Sequence, residues 1–339
     1  MRLQTIIERH WYLRIDPILM IILFPFSLLY EIAIKIRKIL FTLRIIPSSK
    51  LPVPVVIIGN ITVGGAGKTP LTKFIATELT KQNIAFGIVL RGYKSKTKSA
   101  RIVTANDSSL EVGDEALIYA QAGFKVAIGS KRVMAAKLLL QQHPEIQIIL
   151  ADDGMQHYYL RRNMEICVVD SSRMFGNQQL LPLGPLREPM DRLKKVSAIV
   201  VNGNYNLDKL NEILSEYKTP VYHQDIQLIN FYNPVLAESK TSAEMGEIAN
   251  VMAVAGIGNP GRFYDTLEQN GIKIQKVKSF PDHYHYQAHD ISDKYAIITT
   301  EKDYTKLAQF KLKNVWVAQV TAHLNSPAII TQITSLVHP

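Results

Sequence analysis

A glycine-rich loop followed by a Lys-Thr pair is the part of this sequence best suited to chemistry. The loop runs from Gly59 to Pro70, after the apolar run 55–58 and before a helical pattern. In loops of this kind backbone amides face phosphate oxygens, the lysine reaches the β and γ phosphates, and the hydroxyl binds Mg²⁺. The sequence therefore predicts a P-loop for a nucleoside triphosphate, and the residues expected to form the binding site are Thr62, Gly64, Gly65, Ala66, Gly67, Lys68 and Thr69.

One position in this loop departs from the strict P-loop pattern. Thr62 stands five residues before Gly67, where the pattern has a glycine. Gly64 and Gly65 supply conformational freedom inside the loop instead. The alternative is a glycine-rich turn before an ordinary helix, but it leaves the Lys-Thr pair and the strand-loop-helix order unexplained. We therefore favour the P-loop.

Carboxylates at the end of a second apolar run are candidates for binding the metal. Asp152 and Asp153 follow the run 146–150. A strand beside a P-loop that presents an aspartate to Mg²⁺ is the Walker B arrangement, and the alternative is a helix cap. Asp114 and Glu115 open a predicted helix, and by themselves they indicate only favourable charge at its N-terminus. Histidines between residues 283 and 289 lack a recognised metal spacing, so capping or surface polarity is the simpler interpretation.

The elements that must position these residues alternate along the chain. Short apolar runs separated by helical patterns predict a parallel sheet covered by helices, a P-loop NTPase-type α/β domain, followed by a second, smaller α/β domain. We expect an N-terminal segment over 1–50, the P-loop domain over 51–225, and the second domain, closing an active-site cleft, over 226–339. The predicted strands are 55–58, 86–90, 125–128, 146–150, 166–169, 198–201, 251–255, 273–277, 296–299 and 315–320, the predicted helices include 71–80, 114–121 and 131–142, and 181–189 and 222–234 are expected to be connectors.

The N-terminal segment combines apolar and basic residues. The first fifty residues hold eight basic and three acidic side chains, and the apolar run Ile18–Tyr30 is interrupted only by Pro25 and Ser27. Thirteen helical residues cover roughly 20 Å of a hydrocarbon core about 30 Å thick. The run is too short to span comfortably, so we expect a helix lying at a membrane surface. The alternative is a helix buried against the rest of the protein.

Composition argues against a disulfide-linked protein, a cysteine metal cluster and a nucleic-acid-binding protein. The chain has 339 residues, a net charge of +10, 47% hydrophobic residues and one cysteine. A single cysteine gives no intramolecular disulfide partner and no cysteine metal cluster. Half of the net charge lies in the N-terminal segment, and no zinc-finger spacing or aromatic RNA-binding signature is present, so nucleic acid is not the expected partner.

Seven blocks of residues occur in a fixed order along nearly the whole chain. They are 59–70, Arg91-Gly92-Tyr93, 113–116, 152–157, 181–189, 280–283 and 300–303. Their order and content resemble those of the tetraacyldisaccharide 4'-kinases, the lipid A 4'-kinases of Gram-negative bacteria. Two positions differ from that family: Ala66 stands where a hydroxyl or amide residue is usual, and Asn163 where an aspartate is usual.

The resemblance implies a reaction and roles for residues. It implies transfer of the γ-phosphate of ATP to the 4'-hydroxyl of a tetraacyldisaccharide 1-phosphate, giving lipid IVA, at the cytoplasmic face of the inner membrane. Asp114 is then the catalytic base and His283 its support, which replaces the simpler interpretation of both residues. The resemblance also places Mg²⁺ near Thr69, Glu115, Asp152, Asp153 and Glu188, and makes Arg91 and Arg187 candidates for binding the lipid substrate.

Two other functions are compatible with parts of the sequence. A membrane-associated P-loop NTPase that acts as a switch needs no acceptor hydroxyl, although a GTPase would show an Asn-Lys-x-Asp motif. A non-catalytic lipid-binding scaffold would give Lys68, Thr69 and Asp152 no purpose. Whether ATP turnover requires the lipid disaccharide distinguishes these possibilities.

Overall fold

The computed structural model describes residues 3–337 except residues 94, 96 and 98. The α-helices are α1 (Leu3–Tyr12), α2 (Pro17–Thr42), α3 (Lys68–Lys81), α4 (Ser109–Val112), α5 (Asp114–Gln121), α6 (Arg132–Gln142), α7 (Leu207–Ser215), α8 (Ser242–Gly246), α9 (Pro260–Gln269), α10 (Glu301–Leu307) and α11 (Ala328–Thr334). The strands are β1 (Val55–Gly59), β2 (Phe86–Leu90), β3 (Arg101–Val103), β4 (Val126–Ile128), β5 (Ile148–Asp152), β6 (Met164–Asp170), β7 (Ala198–Asn202), β8 (Val221–Asn233), β9 (Glu238–Lys240), β10 (Val251–Ala255), β11 (Ile274–Ser279), β12 (Ala296–Thr300) and β13 (Val315–Leu324). Three short 3₁₀ helices lie at Met190–Lys195, Ala288–Asp290 and Ala308–Phe310.

The alternation of strands and helices confirms the predicted α/β class. Each predicted strand is present with its ends shifted by a few residues at most, and α5 has the predicted bounds. The prediction of an irregular connector over 222–234 is wrong, because this segment belongs to the thirteen-residue strand β8. Its buried positions include Gln224 and Asn233, so polar residues hide the strand from a search for apolar runs.

Contacts divide the chain into two compact units. Unit 1 comprises Met1–Phe86, His143–Asp225 and Leu324–Pro339, and unit 2 comprises Gly87–Gln142 and Ile226–His323. Each unit combines separated segments, whereas the predicted domains, 51–225 and 226–339, are continuous. The predicted domain limits and the closing of a cleft stay predictions.

Unit 1 contains a parallel sheet whose strand ends carry polar residues. Its strand order is β8-β7-β6-β1-β5, and α3 packs against β1 and β5. All residues of β1, β5, β6 and β7 are buried, which explains their nearly continuous apolar sequences. Because the carboxyl ends of parallel strands lie on one edge, the loop after β1 is brought to the same edge as Asp152 of β5 and Asn202 of β7.

Unit 2 contains a second set of mostly parallel strands. Strands β11, β10, β12 and β13 are parallel neighbours in that order, β2 is parallel to β4, and β3 is antiparallel to β4. Helix α5 packs against α10. The glycine cluster 256–261 forms the turn between β10 and α9, and the Asn259 side chain caps α9. The packing of α5 on α10 brings the start of one helix to the side chains of the other.

Helix α2 is longer than the apolar run from which it was predicted. Asp16 caps it by accepting hydrogen bonds from the amides of Ile18 and Leu19, and Pro17 occupies its first turn. The helix continues through Pro25 and past Glu31, which forms an ion pair of 2.6 Å with Lys35 one turn later. Its 26 residues correspond to about 39 Å, so the expectation that it is too short to span was wrong.

The apolar side chains of α2 are largely exposed. Ile18, Ile21 and Leu29 are 69%, 75% and 64% exposed, and Ser27 is the buried residue of the helix. The alternative of a helix buried in the protein is therefore excluded. By length and composition α2 could cross a membrane, and among the described residues it is the one helix that meets this test.

Candidate active site

The last residue of the glycine-rich loop is held against a buried asparagine. Gly67 has φ of +89°, and a Cβ added there would lie 2.0 Å from Nδ2 of Asn202. The same Nδ2 donates a hydrogen bond of 3.0 Å to the carbonyl of Ala66. Both the left-handed backbone and the close approach require glycine at residue 67. The end of β7 thus sets the path of the chain into α3.

A second polar side chain completes this support. Gln224 of β8 lies beside Asn202 in the parallel register, and its Nε2 donates to Oδ1 of Asn202 at 3.2 Å and to the carbonyl of Gly67 at 3.4 Å. Both side chains are buried. Sequence analysis did not identify either residue as part of the site. The available indication was a buried polar residue in each of two strands, Asn202 at the end of β7 and Gln224 near the start of β8.

The start of the loop is organised by Asn60. Its Nδ2 lies 3.3 Å from Oγ1 of Thr62 and 3.5 Å from the carbonyl of Gly64, and its Oδ1 lies 3.4 Å from Nζ of Lys68. The loop therefore has side-chain contacts across it at the position where the strict pattern has glycine. Gly64 and Gly65 are exposed, while Ala66 is buried. The predicted loop residues are thus gathered in one structural element.

Lys68 makes an ion pair with a residue predicted to bind Mg²⁺. Its Nζ lies 3.4 Å from Oδ1 of Asp153, and Nη1 of Arg187 lies 3.2 Å from the same oxygen. Asp153 has φ of +49°, an uncommon backbone conformation for a residue other than glycine. A carboxylate shared by two cations is better suited to holding Lys68 and Arg187 than to binding a metal. The role of Asp153 as a ligand of Mg²⁺ stays a prediction.

Asp152 lies deeper than Asp153. It ends β5, aligns with Ile58 of β1 and is 2% exposed. Its Oδ1 accepts a hydrogen bond of 2.8 Å from the amide of Asp153. Thr69 is the second residue of α3 and is half-buried. A carboxylate at the end of the strand beside β1 and a hydroxyl at the start of α3 are the donors that a P-loop uses for Mg²⁺.

Glu188 belongs to a buried ion-pair network. Its carboxylate accepts from Nε2 of Gln156 at 2.9 Å, from the Tyr158 hydroxyl and from Nε of Arg192 at 3.1 Å. Arg192 also pairs with Glu165 at 2.6 Å. Burial and the charge of Glu188 raise the pKa of Tyr158. Three protein donors thus occupy the oxygens of Glu188, and its role near Mg²⁺ stays a prediction.

Unit 2 brings together the two residues to which the resemblance assigns proton chemistry. Asp114 is the first residue of α5 and is 7% exposed. Its Oδ2 lies 3.0 Å from Nδ1 of His283 and 3.1 Å from Nζ of Lys306. Both residues belong to unit 2, whereas the predicted domain limits place Asp114 in the first domain and His283 in the second. Lys306 was not identified from the sequence.

These neighbours keep the Asp114 carboxylate charged. Burial raises the pKa of Asp114, but the hydrogen bond with His283 and the positive charge of Lys306 outweigh it and hold that pKa below its ordinary value. Asp114 is therefore a carboxylate at neutral pH and can accept a proton.

His283 is positioned by backbone and ring contacts. It has φ of +59°, a left-handed conformation that is strained for a residue with a side chain. Its ring lies edge-to-face with Tyr93, with ring centroids 5.1 Å apart. A Cβ on Gly113, the residue before Asp114, would lie 3.0 Å from the carbonyl of Tyr93. Tyr93 thus lies against His283 through its ring and close to Gly113 through its backbone carbonyl.

The two remaining predicted site residues of unit 2 are Glu115 and Arg91. Oε1 of Glu115 lies 3.5 Å from Nζ of Lys302, so a lysine, which a metal would repel, is its neighbour. Arg91 follows β2 and is exposed. Within the described residues no three His, Cys, Asp or Glu side chains converge as a metal site.

One departure from the family pattern has a structural role in unit 1. Asn163 accepts a hydrogen bond of 3.0 Å from the amide of Val55 through Oδ1, and its own amide donates to the carbonyl of Val55 at 2.8 Å. Arg162 donates to the carbonyls of Met155 and His157. The pair therefore fixes the start of β1 and the turn after Asp153.

The chain is similar over nearly its whole length to proteins of one family. A sequence profile of the family described as "Tetraacyldisaccharide-1-P 4'-kinase" matches residues 19–338. Tetraacyldisaccharide 4'-kinase of Methylobacillus flagellatus is 38% identical over 336 residues, which cover 97% of this chain and 96% of that protein. The enzyme of the same name from Chromobacterium violaceum is 39% identical over 329 residues, covering 95% of each chain.

A solved structure matches the fold over most of its length. The crystal structure of "apo" form LpxK from Aquifex aeolicus in complex with ATP superposes with a TM-score of 0.78 at 29% sequence identity. The match covers 92% of this chain and 98% of that chain.

Proposed function

The chain belongs to the tetraacyldisaccharide-1-P 4'-kinase family, and from this premise we propose which of its residues carry out the reaction. The reaction transfers the γ-phosphate of ATP to the 4'-hydroxyl of a tetraacyldisaccharide 1-phosphate and gives lipid IVA. The observation that carries the assignment of the nucleotide site is the loop between β1 and α3, closed by Gly67 and supported by Asn202 and Gln224.

In unit 1 the loop amides and Lys68 bind the phosphates of ATP. Phosphoryl transfer requires positioning and charge stabilisation more than covalent chemistry from the protein. Lys68 is held by Asn60 and Asp153 near the start of α3, where the helix dipole also favours negative charge. Asp153 holds both Lys68 and Arg187, so it positions the two cations for anionic groups of the substrates.

Thr69 and Asp152 are the residues that fit Mg²⁺. Mg²⁺ in such sites is bound by one or two carboxylates or hydroxyls together with substrate phosphates and water, so no larger protein cage is needed. Bound there, the ion would neutralise charge on the phosphate oxygens. Glu115, Asp153 and Glu188 stay predicted ligands, and each also has a cationic protein neighbour.

In unit 2 Asp114 accepts the proton of the 4'-hydroxyl, and His283 orients the carboxylate. The support for this proposal is the buried, ionised state of Asp114 and the 3.0 Å contact between the two side chains. Arg91 and Arg187 are proposed to bind the phosphate or sugar of the lipid substrate. Arg91 is exposed and cationic, and Arg187 is already oriented by Asp153.

Helix α2 lies on the cytoplasmic surface of the inner membrane. Ser27, Tyr30 and Arg37 donate hydrogen bonds to backbone carbonyls of unit 1 at 3.0, 3.1 and 3.0 Å. A helix bound to the folded protein at its middle and near its end cannot also be surrounded by lipid along its length. Its other apolar side chains are exposed, so one side contacts unit 1 and the other enters the interface. The Tyr30 bond to the carbonyl of Arg187 places this surface beside a proposed substrate residue.

The reaction is tested with labelled ATP and a tetraacyldisaccharide 1-phosphate in detergent micelles. We expect label in the lipid product and little phosphate release when the lipid is omitted. Release of phosphate at the same rate with and without lipid, and no labelled lipid, would instead identify a P-loop NTPase switch.

Membrane association is tested by flotation with vesicles that contain anionic phospholipid. We expect the double variant Ile21→Glu and Leu29→Glu to lose flotation, because each exposed side chain contributes apolar area to the interface. Ile229→Glu is the matched control, since Ile229 is 58% exposed on β8 in unit 2. Equal flotation of the double variant and the control would contradict the proposal.

A further inference from the structure

Helix α10 places two lysines on the Asp114–His283 pair. Lys302 and Lys306 are one helical turn apart on the same face of the helix. Nζ of Lys302 lies 3.3 Å from Nε2 of His283, and Nζ of Lys306 lies 3.1 Å from Oδ2 of Asp114. Their side chains are 18% and 4% exposed. One helix thus presents a cation to each member of the pair.

The contact with Lys302 determines which nitrogen of His283 carries the proton. A lysine ammonium has three donors and no acceptor, so the atom it approaches must accept. Nε2 of His283 then carries a lone pair, and in a neutral imidazole the proton is on Nδ1. Nδ1 lies 3.0 Å from Oδ2 of Asp114, so the imidazole donates to the carboxylate.

The other charged groups around His283 agree with this assignment. Oδ2 of Asp282 lies 3.8 Å from Nε2, which is beyond hydrogen-bond distance, while its Oδ1 lies 3.0 Å from Nζ of Lys302. Glu115 lies 3.5 Å from the same Nζ. Burial lowers the pKa of Lys302, but Glu115 and Asp282 outweigh it and raise that pKa above its ordinary value. Lys302 is therefore an ammonium and remains a donor.

Lys306 contacts the other member of the pair, Asp114, and has neighbours of its own. Its Nζ lies 3.7 Å from Oδ1 of Asp303 and 6.0 Å from the centre of the Tyr286 ring. Asp303 is fully buried and accepts hydrogen bonds from the Tyr286 hydroxyl at 2.9 Å and the amide of Gly256 at 3.0 Å. The Lys306 ammonium thus lies between two carboxylates, those of Asp303 and Asp114.

We propose that Lys302 is a positioning residue that holds His283 in the neutral tautomer with the proton on Nδ1. In this tautomer Nδ1 already carries a hydrogen, so it cannot take the proton that Asp114 receives from the acceptor hydroxyl. The imidazole orients the carboxylate, and the proton stays on Asp114 during the transfer. This inference rests on the proposed role of Asp114 as the base, but the tautomer itself is measurable without turnover.

The tautomer is read from long-range ¹H–¹⁵N correlation spectra of the full-length, ¹⁵N-labelled protein in detergent at neutral pH. The chain has nine histidines, so the His283→Gln variant assigns the signal. We expect a protonated Nδ1 and an unprotonated Nε2 in the wild type. Lys302→Met should shift the signal toward the other tautomer, Lys302→Arg should restore it because a donor is kept, and Lys294→Met, at an exposed position, should leave it unchanged.

Kinetics separate this inference from the proposed function. Lys302→Met should lower kcat by about 10- to 100-fold through misorientation of the pair, with the KM for ATP within about twofold of the wild type, and Lys302→Arg should recover part of the loss. A wild-type spectrum with protonated Nε2, or an unchanged tautomer in folded Lys302→Met, would overturn the inference. The wild-type spectrum tests the tautomer of His283 even if Lys302→Met does not fold. Retained activity in Asp114→Asn would instead overturn the proposed base.

Discussion

Removal of the Asn202 side chain tests whether the end of β7 supports the phosphate loop. Asn202→Ala removes the 3.0 Å hydrogen bond to the carbonyl of Ala66 and the 3.2 Å bond from Gln224, both in a buried setting. A lost hydrogen bond contributes about 1 kcal/mol, and a buried group left without its partner costs about 1–3 kcal/mol more. We therefore expect the free energy of unfolding to fall by about 2–4 kcal/mol.

The same change should weaken nucleotide binding. Without Asn202 the chain at Ala66 and Gly67 is no longer fixed by β7, and part of the binding energy goes into ordering the loop. An ordering cost of about 1.4 kcal/mol raises the Kd for ATP about tenfold. The measurements are urea unfolding and isothermal titration calorimetry with ATP, both in the same detergent.

Asn233→Ala is the matched control for this experiment. Asn233 is also fully buried, donates a hydrogen bond of 2.8 Å to the carbonyl of Lys313 and accepts from two amides, but it lies in unit 2 at the end of β8. We expect a similar loss of stability with an unchanged Kd for ATP. If Asn202→Ala loses stability but binds ATP as tightly as Asn233→Ala, the loop does not depend on β7 and the reasoning is refuted.

Three further substitutions probe the proposed roles. Lys68→Met should lower kcat at least 100-fold in a folded protein, because a cation beside developing negative charge is worth several kcal/mol. The control Lys81→Met, at the exposed end of α3, should leave kcat unchanged. Equal kcat values for the two variants would refute the role of Lys68 in transfer. Asp114→Asn should lower kcat by about 10²–10⁴ with an unchanged KM for ATP. The pKa of Asp114 in the folded state is below the unfolded value of 3.8, so the ionised carboxylate stabilises the fold above pH 3.8 and this stabilisation is lost as pH falls through the folded-state pKa. In Asp114→Asn, the free energy of unfolding should therefore decrease less steeply with falling pH than in the wild type. Gly67→Ala should reduce ATP affinity more than Asn202→Ala, because left-handed φ adds about 1–2 kcal/mol to the displacement of Asn202, and calorimetry checks the order of the two variants.

The local pattern of the sequence was sufficient for the elements that carry the chemistry. An apolar run, a glycine-rich loop and a helical pattern fixed the order of β1, the loop and α3, because period and glycine content report on backbone conformation directly. The helix that begins at Asp114 was predicted with its bounds, and the apolar N-terminal helix was predicted in kind but not in length. The helix continues beyond the apolar run through the charged residues Glu31 and Lys35, so a search for apolar residues alone underestimates its length.

The partners of the site residues were decided by the tertiary structure. Asn202 and Gln224 reach the phosphate loop because β7 and β8 lie in one parallel sheet with β1, and strand order is set by packing of the whole unit. Asp153 and Glu188 resemble metal ligands as residue types, but each also pairs with a cation. Lys68 and Arg187 reach Asp153 from distant segments, and Arg192 reaches Glu188 from four residues away. The charges that surround each carboxylate follow from these contacts.

The chemistry of the Asp114–His283 pair shows the same division. The sequence alone gave Asp114 only as a charge at a helix start, and the resemblance to a family was needed to join it to His283. Lys302 and Lys306 have a spacing that puts them on one face of a helix, but that spacing does not say which element faces them. The packing of α5 on α10 supplies that information, because a side chain has a defined donor, acceptor or charge role only once its neighbours are fixed in space.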